Sequence, residues 1–210
     1  MTVATQDSQR RGGRIRGLVE LLATVAVAIG LALLIQALVV KPYKIPSGSM
    51  IPTLAIGQHI LVNRLDTHPG LYDVVVFHPP AGANPEPAVC GARSQGYGHQ
   101  QACDAGTAAE SSQTFVKRVV GLPGDRLRIL NGHVWRNGTE EKGKHLQPCN
   151  TGSSYCNFPQ TITVPAGEYY MMGDNRGPSD DSRFWGPVPQ RWVIGIAVAT
   201  YWPIDRIGFF

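Results

Sequence analysis

The sequence predicts an all-β domain built of antiparallel sheets behind one N-terminal transmembrane helix. Three observations carry that expectation. Residues 17–40 are predominantly apolar, with Glu20 the only charged residue. After them come short runs rich in β-branched and aromatic residues, separated by Pro, Gly and Asn turns. Nothing beyond residue 40 sustains a helical apolar period.

At 210 residues the chain has room for one domain, or a core with a smaller appendage. Arg10, Arg11, Arg14 and Arg16 against Asp7 give residues 1–16 a charge of +3, out of +4 for the whole chain. The basicity therefore belongs to a polar tail expected to be disordered. The rest of the chain offers no case for nucleic-acid binding, which calls for a basic patch on the folded part. Residues 17–40 as a helix would span about 36 Å, enough to cross a ~30 Å hydrocarbon layer. The run is longer than the apolar region of a cleaved signal peptide and leads straight into Lys41-Pro42-Tyr43, so it reads as an uncleaved anchor. Four arginines before the span, against Lys41 and Lys44 after it, predict a cytoplasmic N-terminus and an extracytoplasmic domain over 41–210.

Strands are expected at 59–64, 71–77, 114–120, 161–164, 169–172 and 193–201. A hairpin joins 127–130 to 133–136 through Asn131-Gly132, the strongest short hairpin signal. Two irregular stretches, at about 79–113 and 137–160, read as insertions. They hold all four cysteines, Cys90, Cys103, Cys149 and Cys156, an even number in a compartment that should oxidise them. Three pairings are open, and the local pairs ask least of the fold. Zinc is disfavoured by the lack of CxxC spacing and of HExxH.

Chemistry concentrates in three places. The first is Ile45-Pro46-Ser47-Gly48-Ser49-Met50-Ile51-Pro52-Thr53-Leu54. Its prolines fix φ and remove amide donors, so a stiff, kinked segment can present a serine hydroxyl and its own N–H together. The same composition also suits an ordinary turn. The second is Lys117, which shares a strand face with Phe115 and Val119. Burial there would lower its pKa and let it take a proton from a hydroxyl; the alternative is a lysine reaching out to water. The third is the run from Gly173 to Arg183, either a solvated loop or a salt-bridge network. Composition does not choose.

Pro46-Ser47-Gly48-Ser49-Met50, the run Lys117 to Asp125, and Gly173-Asp174-Asn175-Arg176…Ser179…Asp181-Ser182-Arg183 resemble the motifs of bacterial type I signal peptidases. They stand in that family's order after an N-terminal anchor, and the resemblance covers about 18–78 and 114–202. It implies a membrane serine endopeptidase that removes signal peptides from secretory preproteins. Ser49 would be the nucleophile, Lys117 the general base, and Ser179 the hydroxyl that orients the lysine. Ser47 would join the Ser49 N–H in the oxyanion hole. Arg118, Asp174, Arg176, Asp181 and Arg183 would be supporting charges. Tyr43, Ile45, Pro46, Met50, Leu54 and Val116 would form apolar subsites for small side chains. Its partners would be preproteins and membrane lipid, with no nucleic acid and no metal or organic cofactor required.

The competing reading is a catalytically inactive, membrane-tethered β-domain that binds extracytoplasmic partners. Loss of Ser49 or Lys117 would have favoured it, and both are present. Two departures from the family stand out. Gly177-Pro178 replaces residues that are polar in many relatives, and 79–113 has no family counterpart. Because Cys90 and Cys103 lie outside every motif, activity is expected to survive their replacement.

Overall fold

The computed structural model describes residues 4–149 and 153–210. It divides into two units, one ending at Lys41 and the other running from Pro42 to Phe210. In the first unit, helix α1 spans Ala4–Leu38. It reaches back through the tail expected to be disordered, where Ala, Gln and Arg favour helix and no proline intervenes. Arg16–Ile35 has a mean hydropathy of 2.6, and its side chains are exposed. By length and composition this stretch can cross a membrane, and lipid is the surrounding that suits so many exposed leucines. The helix stops at Leu38, slightly short of the expected end, because Pro42 disfavours helical geometry ahead of it.

Among the described residues the chain then forms twelve strands: β1 (Val40–Lys44), β2 (His59–Asn63), β3 (Val74–Phe77), β4 (Phe115–Gly121), β5 (Arg126–Leu130) and β6 (His133–Arg136), then β7 (Thr139–Glu140), β8 (Phe158–Thr163), β9 (Glu168–Met172), β10 (Val188–Pro189), β11 (Val193–Trp202) and β12 (Gly208–Phe209). A one-turn helix, α2 (Ser182–Trp185), lies between β9 and β10. One sheet runs β1-β2-β11-β3-β4-β9-β10, with β12 also paired to β11. The other runs β7-β6-β5-β8. The expected antiparallel β architecture is present.

The centre of the large sheet, β3 and most of β4, is buried on both faces, and the side-chain period of two sorts its residues between two cores. Val75, Phe77 and Val119 join Leu127, Ile129, Val134, Phe158 and Ile162 from the smaller sheet in one core. Val74, Val76, Ile60 and Val62 form the other with Ile45, Met50 and Leu54. This second core sets the position of the serine-rich segment. Met50 and Leu54 sink into it, leaving the turn between them and Ile45 at its edge. The β5–β6 hairpin turns at Asn131 and Gly132, both with positive φ as that dipeptide favours.

The pairs formed are Cys90–Cys103 and Cys149–Cys156, one of the three possible sets. Neither insertion is without structure. The first contains a short 3-10 turn at Ala81–Ala83 and buries Ala102 and Cys103; the second contributes β7.

Thiol labelling of unreduced protein should find none of the four cysteines free, and non-reduced peptide maps should show the two local pairs. Any other connectivity in native material would contradict the structure. Gly121 offers a test of packing. It sits at a register break opposite Tyr170, where an added Cβ would lie 2.6 Å from Leu127 Cδ1 and 3.1 Å from Tyr170 Cβ. Gly121→Ala should therefore destabilise the domain by about 1–3 kcal/mol in denaturant unfolding; an unchanged midpoint would show that the two sheets part there without cost.

Candidate active site

The serine-rich segment leaves β1 through buried Ile45, whose N–H donates to Gln58 O at 2.8 Å and whose carbonyl accepts from Gly57 N at 2.8 Å. Ser47 is extended, and Gly48–Met50 makes a single 3-10 turn. Two bonds tie that turn to the third motif. Asn175 N donates to Ser49 O at 3.0 Å, and Asn175 Nδ2 donates to Gly48 O at 3.2 Å. Gly173 allows this approach, since a Cβ there would lie 2.5 Å from Ser49 O and collide with the Ser179 hydroxyl. Ser49 is half-buried, with its hydroxyl 3.4 Å from that of Ser47.

Lys117 stands in the middle of β4, opposite Val75, and is only 4% exposed. Its Nζ donates to Ser179 Oγ at 3.1 Å and lies 5.8 Å from the centre of the Phe115 ring. Burial lowers its pKa to about 8, against the opposing pull of Asp181 and Asp180. Burial alone would raise the Asp181 carboxyl, but Arg183, Lys117 and the Ser179 hydroxyl outweigh it and hold the group below its ordinary value. Asp180 goes the other way, pushed up to about 6 by burial and then by Asp181. The chain Lys117–Ser179–Asp181 thus carries one cation and one anion around a neutral hydroxyl.

The five residues expected as supporting charges are all buried and paired, so the Gly173–Arg183 run is a salt-bridge network rather than a solvated loop. Arg118 grips Asp174 bidentately, Nε to Oδ1 at 2.8 Å and Nη2 to Oδ2 at 2.6 Å, and also reaches Tyr72 O at 2.7 Å. Fork geometry of this kind fixes orientation as well as adding energy. Thr53 completes the group, donating to Asp174 Oδ2 at 2.5 Å and accepting from Arg118 at 3.1 Å. Arg176 pairs with Glu141 and donates to the carbonyls of Gly132 and Gly173. Arg183 donates to both Asp181 oxygens, at 2.7 and 2.9 Å, and to the carbonyls of Arg176, Ser179 and Tyr155 at 2.6, 3.0 and 3.0 Å. Sequence reasoning missed Thr53, Glu141 and Asn175. Asn175 lay inside a quoted motif, whereas Glu141 sits in a segment that reads as an insertion.

Ser49 and Lys117 line one cavity of about 630 Å³. Ile45, Pro46, Met50 and Val116 are on its wall, joined by Phe115. Leu54 is not on that wall: it is fully buried in the core beneath, where it packs with Met50. Tyr43 packs on the same core from its edge rather than lining the cavity. Gln113, Thr114, Asn175 and Asp180 add a polar margin that the sequence analysis did not assign. The arrangement brings a hydroxyl, a buried amine of lowered pKa and an apolar recess into one space. Those are the parts needed for attack on a carbonyl beside a small side chain.

The family described as "Signal peptidase, peptidase S26" matches residues 18–202. The "Probable signal peptidase I-1" of Synechocystis sp. is 36% identical over 87% of this chain and 81% of its own length. The signal peptidase I of Leptolyngbya laminosa is 32% identical over 91% and 83%, and that of Pseudomonas aeruginosa 31% over 85% and 71%. The match takes in α1 from Leu18, the serine turn, β4 and the Gly173–Arg183 network, and on it the chain belongs to the signal peptidase family, the S26 peptidases.

Proposed function

We propose that this chain is a membrane-anchored serine endopeptidase that cuts signal peptides from secretory preproteins, with Ser49 as nucleophile and Lys117 as general base. The observation that carries the reading is the buried Lys117 amine, oriented by Ser179 at 3.1 Å on the wall of the cavity that also holds Ser49. In this reading α1 is the anchor, and the arginines ahead of the span support a cytoplasmic N-terminus with the peptidase domain outside.

In this mechanism a small side chain before the scissile bond settles among Ile45, Met50 and Val116. Neutral Lys117 takes the Ser49 proton as Oγ attacks the carbonyl. The Ser49 N–H and the Ser47 hydroxyl stabilise the oxyanion, and removal of one such donor typically costs about 10²–10³-fold. The protonated amine then gives its proton to the leaving nitrogen. Water activated by the same lysine releases the acyl group from Ser49. Ser179 keeps the amine aimed throughout, and Asp181 stabilises the ammonium that forms in each half-reaction.

The test is to incubate detergent-solubilised protein with a signal-peptide-bearing precursor and locate the cut by mass spectrometry. Ser49→Ala and Lys117→Ala should each lose at least about 10⁴-fold in kcat/KM, and the double variant should lose no more, because both groups serve one proton transfer. Appreciable turnover by Lys117→Ala would remove the lysine from the mechanism.

The pH profile provides a second test. The active form is the neutral amine, so kcat/KM should rise tenfold per pH unit in acid and flatten as pH passes about 8. At pH 7 roughly a tenth of the enzyme is then competent, against less than about 0.1% for an ordinary lysine. A profile still climbing with unit slope beyond pH 10 would show that the base is not a buried amine.

A further inference from the structure

The stretch from Pro79 to Gln113 belongs to none of the motifs, yet it is built as a strap. Ala81 N bonds Ala109 O at 2.8 Å, Gly91 N bonds Ala105 O at 2.9 Å, Gly96 N bonds Gln101 O at 2.9 Å, and Cys90–Cys103 closes the far end. That end lies on α2. Cys103 N donates to Arg183 O at 3.0 Å, and the Tyr97 ring packs on Phe184 with centroids 6.0 Å apart. Tyr97 also stacks on Tyr155 at 4.9 Å, and the two hydroxyls are 2.9 Å apart. Tyr155 precedes Cys156 of the other disulfide, and its carbonyl accepts from Arg183 Nη1 at 3.0 Å.

Arg183 is therefore held at its main chain by one disulfide loop and at its guanidinium by the other, and the tyrosine pair locks the two loops together. The same guanidinium holds the carbonyl of Ser179 and both oxygens of Asp181. Ser179 in turn holds the Lys117 amine. We propose that the Pro79–Gln113 strap is a positioning element for the general base: through Tyr97 and the Cys90–Cys103 loop it fixes Arg183, and through Arg183 the Ser179 hydroxyl that aims Lys117. The inference rests on the Ser49/Lys117 reading, and it reverses the expectation that Cys90 and Cys103 are dispensable for activity.

The consequence is specific. When the strap loosens, water reaches the amine, burial weakens, and the charged form of Lys117 is favoured. The charges that face the amine are Asp174, Asp180, Asp181 and Arg183; none is removed by a change in the strap, so the effect comes from burial and aim. Activity should fall at neutral pH and return in alkali, whereas a general folding defect lowers it at every pH.

The experiment compares pH profiles of kcat/KM for precursor cleavage by full-length wild type, Tyr97→Ala, Tyr97→Phe and the double variant Cys90→Ala/Cys103→Ala, each checked by thermal unfolding. Tyr97→Ala and the cysteine variant should lose about tenfold at pH 7, equivalent to an acid limb moved up by about one unit, and should recover to within about threefold of wild type above pH 9. Tyr97→Phe, which keeps the stack, should stay near wild type. An unmoved limb in folded Tyr97→Ala, or an equal loss at every pH, overturns the proposal. If the cysteine variant fails to fold, Tyr97→Ala decides alone. Failure of the underlying reading would look different: wild type itself would lack the acid limb, or Lys117→Ala would cleave.

Discussion

The structure depends on keeping one amine out of water. A charged lysine in a dry site is costly, and in practice the group loses its proton more readily instead. At Lys117 burial wins over three attractive carboxylates, Asp181, Asp180 and Asp174, and leaves the pKa at about 8. The balance is narrow because Asp181 is held ionised by Arg183 at close range. An unpaired Asp181 would pull harder on the lysine; a missing one would leave Arg183 buried with main-chain carbonyls but without its carboxylate. In the proposed mechanism burial sets the base strength and the charges of the network adjust it.

Each of the three buried arginines around this loop has a carboxylate partner and at least one main-chain carbonyl, while Arg176 Nη2 and Glu141 Oε2 are buried without a partner among the described residues. Buried ion pairs are poor evidence of net stability, but breaking one by removing a partner typically costs about 3–5 kcal/mol. Here the partners are shared among segments far apart in the chain. Arg118 on β4 meets Asp174 and Thr53, Arg176 meets Glu141, and Arg183 meets Asp181 and three main-chain carbonyls. Such a network specifies one arrangement of the loop rather than simply adding stability. It makes the position of Ser179 depend on much of the domain.

The apolar part of the site is set by the sheet. Because β3 is buried on both faces, the second core can lie under the serine turn, and Met50 serves both the core and the cavity wall. In the proposed reading, the recess walled by Ile45, Met50 and Val116 favours small side chains, because its lining is already packed from behind.

The sequence by itself determined what depends on local pattern. The length and apolarity of 17–40 gave the helix, runs of β-branched and aromatic residues between turns gave the strands, Asn131-Gly132 gave the hairpin, and three short motifs in order pointed to the family. Each is read within a few residues, where period and turn chemistry act. Only the tertiary structure decided what depends on distant partners. Lys117 and Ser179 are 62 residues apart, Arg118 and Asp174 56, and Thr53 and Asp174 121. Composition could not say whether the 173–183 run was solvated or bracing, because that turns on which segments cover it. Leu54 was expected at the cavity and lies beneath it, and the cysteine strap was expected to stand apart and lies against Arg183, for the same reason. Burial and pairing belong to the packed chain, and a single stretch of sequence carries no record of what will be packed against it.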